Sequence, residues 1–164
     1  MNCLSCLPKS PMVLIPDLLL SEEVASRYAL TLHPEPNEPS FEQLNSIAIQ
    51  AGSSDIERCC VSGLWLLHNF LDRSHELSQD IHTTEGSWLH AIMHRTEGDF
   101  SNSKYWYRRA GEHVAFKSVG ESFDPFDFVD QCESEYRKGA LTEMTQQLAF
   151  AEWKALFDYC QANV

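Results

Sequence analysis

The longest helical pattern in this chain runs from about Asp55 to Gln79, with no proline inside it and with Ile56, Cys60, Leu64, Leu67 and Leu71 recurring at helical spacing. A stretch of that length with one apolar edge must lie against other helices, because no segment of the chain shows the strict alternation of a half-buried strand. Ser54 with Glu57 reads as a capping box at its start. Gly63 in its middle costs about 1 kcal/mol against alanine, so it predicts the close approach of another helix.

The punctuation on either side divides the rest into further helices. Ser21, Glu22 and Glu23 open one that reaches about Leu32, with Val24, Tyr28 and Leu32 as its apolar stripe. Pro34, Pro36 and Pro39 form a stiff connection, and Ser40 with Gln43 caps a second helix ending before Gly52 and burying Phe41, Leu44, Ile47 and Ala48. Thr83 to Gly86 reads as a turn before a helix from about Ser87 to Thr96, stopped by Gly98. Ser101 caps the next, to about Ala110. Asp124-Pro125 starts another that ends at Gly139, and the last covers about Leu141 to Gln161 with Met144, Leu148, Ala151, Ala155 and Tyr159 as core candidates. The expected fold is all-α, a compact bundle of about seven helices, with residues 13–164 as one domain behind a flexible 1–12. That terminus carries Cys3 and Cys6, to which no function is assigned.

With 164 residues, 43% of them hydrophobic, the chain can bury one core. Its net charge of -12 repels phosphate backbones and anionic lipid faces, which argues against nucleic-acid and membrane partners. The six cysteines do not form a disulfide framework and read as reduced thiols of a cytoplasmic protein. Cys59 and Cys60 sit among apolar neighbours inside a helix, where thiols are inert.

Gly63 to His113 holds six of the seven histidines and three of the four tryptophans. His68, Asp72 and His75 fall at i, i+4 and i+7, and His90, His94 and Glu97 repeat that spacing, so two neighbouring helices could bring both triplets together. Imidazole and carboxylate are ligands that zinc, iron and manganese accept between facing helices. The candidate metal set is therefore His90, His94, His68, His75 and Glu97. His90-x-x-x-His94 has Ala91 where a zinc protease would carry glutamate, and neither a phosphate loop nor a nucleophile elbow is present, so no catalytic residue is assigned. The only local excess of positive charge is Arg95, Lys104, Arg108 and Arg109, and Lys104 with Arg108 shares a helix face, either as an anion clamp or as a solvated pair answering Glu97 and Asp99. Tyr105, Trp106 and Tyr107 are consecutive and cannot share a face, so at least one borders a pocket or a partner surface.

Gly98-Asp99-Phe100 followed by Ser103, Tyr107 and Ala110 resembles the turn and second helix of a tetratricopeptide-type repeat, in one helix pair over about Ser87 to Ala110. The resemblance implies a helical hairpin in which His90 and His94 point inward; no second copy follows, so a peptide-binding array is not implied. The block LHNFLDRSHELSQ followed by GSWLHAIMHRTEGDFSNSKYWYRRAGEH, about Leu64 to His113, resembles an uncharacterised family of short bacterial and fungal proteins. It implies that His68, Asp72, His75, Trp88, His90, His94, Arg95, Asp99, Asn102, Lys104, Tyr105, Trp106, Arg108 and His113 belong to one unit, and brings no activity with it.

The expected function is a polar, histidine-rich pocket that binds a small anionic ligand, either with a divalent metal (zinc, iron or manganese) or as a metal-free site using the same groups, and with room for catalysis. Its ligand-binding candidates are His68, Asp72, His75, Trp88, Asn102, Lys104, Tyr105, Arg108 and His113. The alternative is a non-enzymatic interaction module, in which the histidines form a buried hydrogen-bond network and the aromatic surface docks a protein partner.

Overall fold

Eight α-helices account for most of the computed structural model, which describes Leu20, Val24 and residues 35–164. After a 3-10 turn at Glu38–Ser40 they are α1 (Phe41–Gln50), α2 (Asp55–Leu67), α3 (Leu71–Ser78), α4 (Thr84–Glu97), α5 (Phe100–Ala110), α6 (Phe116–Val119), α7 (Pro125–Arg137) and α8 (Glu143–Ala162). The fold is all-α, with no strand among the described residues. Among those residues no helix is long and apolar enough to cross a membrane. Residues 1–12, for which flexibility was expected, with Cys3 and Cys6, and most of the helix expected from Ser21 to Leu32 lie outside the described residues.

The bundle is built round α4, in which every residue from Gly86 to Thr96 is buried. A helix with no solvent face needs neighbours on all sides, and α2, α3, α5 and α8 supply them. With α5 it forms a hairpin, the most extensive helix pairing in the fold, turning at Gly98 in the left-handed region at φ 90°. Thr83 is the N-cap of α4, its hydroxyl accepting the Gly86 N–H at 3.2 Å, so the segment expected to be a turn is the helix's first turn. Gly86 is required there, since a Cβ would lie 2.4 Å from the Ile81 carbonyl oxygen.

The helix expected to run unbroken from Asp55 to Gln79 is two helices. Asn69, at φ 61°, ends α2 in a Schellman motif: Phe70 N–H reaches the Trp65 carbonyl at 2.9 Å and Asn69 N–H the Leu66 carbonyl at 3.0 Å. The apolar contact that accompanies such caps is the edge-on pair Trp65 and Phe70, with ring centroids 5.2 Å apart. The chain then folds back so that α3 packs on α2 through Ser62 and Ser74, whose hydroxyls are 3.0 Å apart.

Other local expectations fare unevenly. Ser54 caps α2 and Asp124 caps α7 as their spacing predicts. Ser40 makes no cap bond, because its hydroxyl accepts from Asn37 Nδ2 at 2.7 Å, and α5 is capped by Asp99 rather than Ser101. On α8, of the expected core candidates, Ala155 is buried, Leu148 and Tyr159 pack partly against the core and Met144 is 74% exposed, while the inward stripe also includes Ala149, Glu152, Trp153, Leu156, Phe157 and Cys160.

Gly63 meets another helix as expected. A Cβ there would stand 3.0 Å from the Phe157 ring, and the Gly63 carbonyl accepts the Trp153 indole N–H at 2.8 Å. Gly63→Leu is therefore expected to destabilise the fold by about 1–3 kcal/mol or more through overpacking. Gly120→Ala is the control, since its φ of 168° is ordinary extended backbone and an added methyl meets nothing within 4 Å. Urea unfolding of both variants checks the pair; equal losses would contradict the packing argument.

Candidate metal centre

The break after α2 determines which histidines meet. His75, on α3, faces His90 and His94, one turn apart on α4, and one ligand atom from each of the three lies within 4.8 Å of the others. The ring centroids are 4.7 Å (His75 to His90), 5.3 Å (His75 to His94) and 4.7 Å (His90 to His94) apart. Three imidazoles, each bound through one nitrogen to a tetrahedral ion at about 2.0–2.1 Å, would place their centroids roughly 5 Å apart. The trio fits that arrangement.

Hydrogen bonds select the nitrogens. The Ser78 hydroxyl donates to the His75 carbonyl at 3.4 Å and so offers a lone pair to His90 Nδ1, 3.0 Å away. That assigns the His90 proton to Nδ1 and leaves Nε2 with a lone pair. His94 Nδ1 lies 2.6 Å from Glu97 Oε1, and a carboxylate only accepts, so Nδ1 carries the proton here too. Outer partners of this kind orient metal-bound imidazoles and fix their tautomers. The ring nitrogens of His75 make no hydrogen bond among the described residues, only ring contacts. Burial first, and then the nearby His94 and His75, push His90 down to about 3, so at neutral pH this ring is an unprotonated donor. Trp106 lies against His90 at 4.0 Å, and Glu97 and Asp99 form a second group with His94 on the exposed side.

The opposite face of α4 carries a different polar cluster. Arg95 is ion-paired with Glu152 of α8 at 2.6 Å, both side chains being 2% exposed or less, and it donates to the Tyr107 hydroxyl at 2.7 Å. The Tyr107 hydroxyl and the Trp88 indole N–H both donate to Glu152, the latter at 2.8 Å, and the Arg95 guanidinium stacks 4.5 Å over Phe128. Burial, the largest single influence, would lower the Arg95 pKa, but the Glu152 charge and hydrogen bond together with Tyr107 and Cys132 outweigh it and the net shift is upward. Burial raises the Tyr107 phenol well above its usual value. This cluster holds helices together and has no open face for a ligand.

The sequence candidates therefore separate. His75, His90 and His94 converge, with Glu97, Asn102 and Trp106 around them. His68 does not join them: it sits at the end of α2, fully buried, with Nδ1 2.8 Å from Asn37 Nδ2 and its carbonyl accepting the Asn37 N–H. Asp72, expected on one face with both histidines, instead lines a surface cleft of about 330 Å³ with Phe41 and Asn69. Trp88 and His113 are neighbours in the core at 5.2 Å, with His113 bonded to Glu85. The Lys104 and Arg108 clamp does not form, because Lys104 pairs with Asp130 of α7 and Arg108 is exposed without an ion pair among the described residues. Tyr107 is core, Trp106 half-buried and Tyr105 46% exposed. Cys59 and Cys60 are buried free thiols. Sequence reasoning missed Ser78, although it stands one turn after His75, and missed Glu152 altogether.

No family model, curated protein or solved structure matches the chain. What the centre can do rests on its own chemistry.

Glu152→Gln, which strips Arg95 of its counter-charge, is expected to destabilise the fold by about 3–5 kcal/mol. Changing Arg95 and Glu152 together to Met should recover part of that loss, since no unpaired charge is left behind. Urea midpoints measure both; a loss under about 1 kcal/mol for Glu152→Gln would show that the pair contributes little.

Proposed function

We propose that this protein binds one divalent transition metal, zinc, iron or manganese, through His75, His90 and His94, and presents it with an open position to a small anionic ligand. The observation that carries the reading is the convergence of three imidazoles from two helices at metal-like spacing, two of them with Nδ1 already committed to Ser78 and Glu97. Three protein ligands leave a tetrahedral ion one further position, the composition of catalytic rather than structural zinc sites. All-nitrogen ligation suits zinc and iron better than manganese, which prefers oxygen. The centre is half-open, because His75 is only partly buried while His90 and His94 are covered. Of the Leu64 to His113 block, the reading uses His75, His90, His94, Glu97, Asn102 and Trp106.

A second reading has the rings as a packed, metal-free aromatic cluster of an interaction module, and their edge-on contacts favour it. Tag-free protein loaded with zinc and dialysed separates the two. One zinc per chain is expected. His75→Ala, His90→Ala and His94→Ala should each lose it, while His82→Ala, on an exposed linker residue, should keep it. Unbound zinc in the wild type, or full retention in the His75 variant, would overturn the metal reading.

A further inference from the structure

The carboxamide of Asn102, on α5, lies against His94 with Nδ2 3.0 Å from Nε2 and 3.5 Å from Nδ1. Near-equal distances to both ring nitrogens are incompatible with a position along either lone pair, and they place the amide over the face of the imidazole. That face is electron-rich, which assigns the NH₂ end of the amide to it rather than the carbonyl. The Nε2 lone pair of His94 is thus left open, while a good N–H donor stands beside it. Its backbone explains why the amide is held there: the Asn102 N–H is the one capped by Asp99 at the start of α5, and the turn at Gly98 fixes that helix end against His94.

We infer that Asn102 is the hydrogen-bond donor to the ligand occupying the metal's open position, and that the site takes small oxyanions, carboxylates in particular, bound through oxygen. The inference rests on the metal reading above. An ion held by His94 Nε2 at about 2.0–2.1 Å stands roughly 4 Å from the Asn102 amide nitrogen, so an oxygen bound to that ion comes within its hydrogen-bond reach. The indole of Trp106, tilted 36° against the His90 ring with centroids 4.0 Å apart, adds an apolar surface to the trio. Arg109, whose guanidinium lies 5.1 Å over that indole with no acidic partner among the described residues, adds positive charge at the edge. An oxygen anion gains from the metal, the amide donor and this charge together. A neutral oxygen ligand gains from the metal and a weaker bond to the amide, but not from this charge. The anion selectivity that the sequence suggested for Lys104 and Arg108 is thereby carried by other groups.

Cobalt(II) in place of zinc gives the site a visible spectrum, and acetate is the probe. In the wild type, acetate should perturb the cobalt bands and saturate. Asn102→Ala should bind cobalt as the wild type does, which also reports that the trio is folded, and should weaken acetate about tenfold, the equivalent of one lost charge-assisted hydrogen bond. Asn102→Asp should bind cobalt more tightly and lose the acetate response, its carboxylate taking the anion's place. If both variants bind cobalt and respond to acetate as the wild type does, the role of Asn102 is refuted while the metal centre stands. If the wild type binds no cobalt, the metal reading has failed and this inference with it.

Discussion

The ion pair between Arg95 and Glu152 is the constraint on which the arrangement depends. Two charges taken out of water are costly to bury, and the cost is met only when their geometry and remaining hydrogen bonds are satisfied together. Here Trp88 and Tyr107 supply donors to Glu152 Oε1 and Tyr107 accepts from Arg95 Nη1. The other oxygen of Glu152 faces Arg95 Nη2 in the ion pair, and Arg95 Nε has no hydrogen-bond partner among the described residues; α4, α5 and α8 are held in one mutual register. Rolling α4 about its axis would unpair a guanidinium in the core. Arg95 follows His94 directly in the chain, so the same lock sets the direction in which His90 and His94 face. A cluster with no ligand of its own thus determines the geometry of the imidazole trio.

The other half of the trio is positioned by a turn. Because Asn69 takes a left-handed conformation and Phe70 packs back on Trp65, α3 is redirected and delivers His75 to α4. Ser78 then ties the two helices together beside the rings, reaching both the His75 carbonyl and His90 Nδ1. His68, which an unbroken helix would have kept in line with His75, is left to anchor the segment before α1 through Asn37. One residue with positive φ therefore separates a structural histidine from a ligand-like one.

Much of this was legible in the residues, for identifiable reasons. Asp124-Pro125, Ser54 with Glu57, and Gly98 are local signals whose chemistry acts within one turn, and each marks a real helix end. Gly63 predicted a helix contact because a missing side chain inside a helix has few other uses. The α2 end was hidden because asparagine is a less common helix terminator than glycine and the apolar spacing continues through to Leu71. On α8 Ala155 was legible as core, whereas Glu152 in the middle of the buried face was not, because an acid normally marks the solvent side. Its partner lies on another helix, as does Asp130, the partner of Lys104, and pairings so distant along the chain leave no spacing to read. His90 and His94 needed only helical geometry to be placed on one face. His75 and His68 were both named as candidates, and only the fold shows which of them meets His90 and His94.

The central claim is that nitrogen from three imidazoles forms the inner shell of a metal ion. X-ray absorption at the zinc edge of the loaded protein examines that shell directly. The account predicts three nitrogen scatterers at about 2.0–2.1 Å with the outer-ring pattern of imidazole, and one further light atom. Sulfur at about 2.3 Å, or a shell of oxygens without imidazole scattering, would place the metal on the cysteines or on surface carboxylates and contradict it.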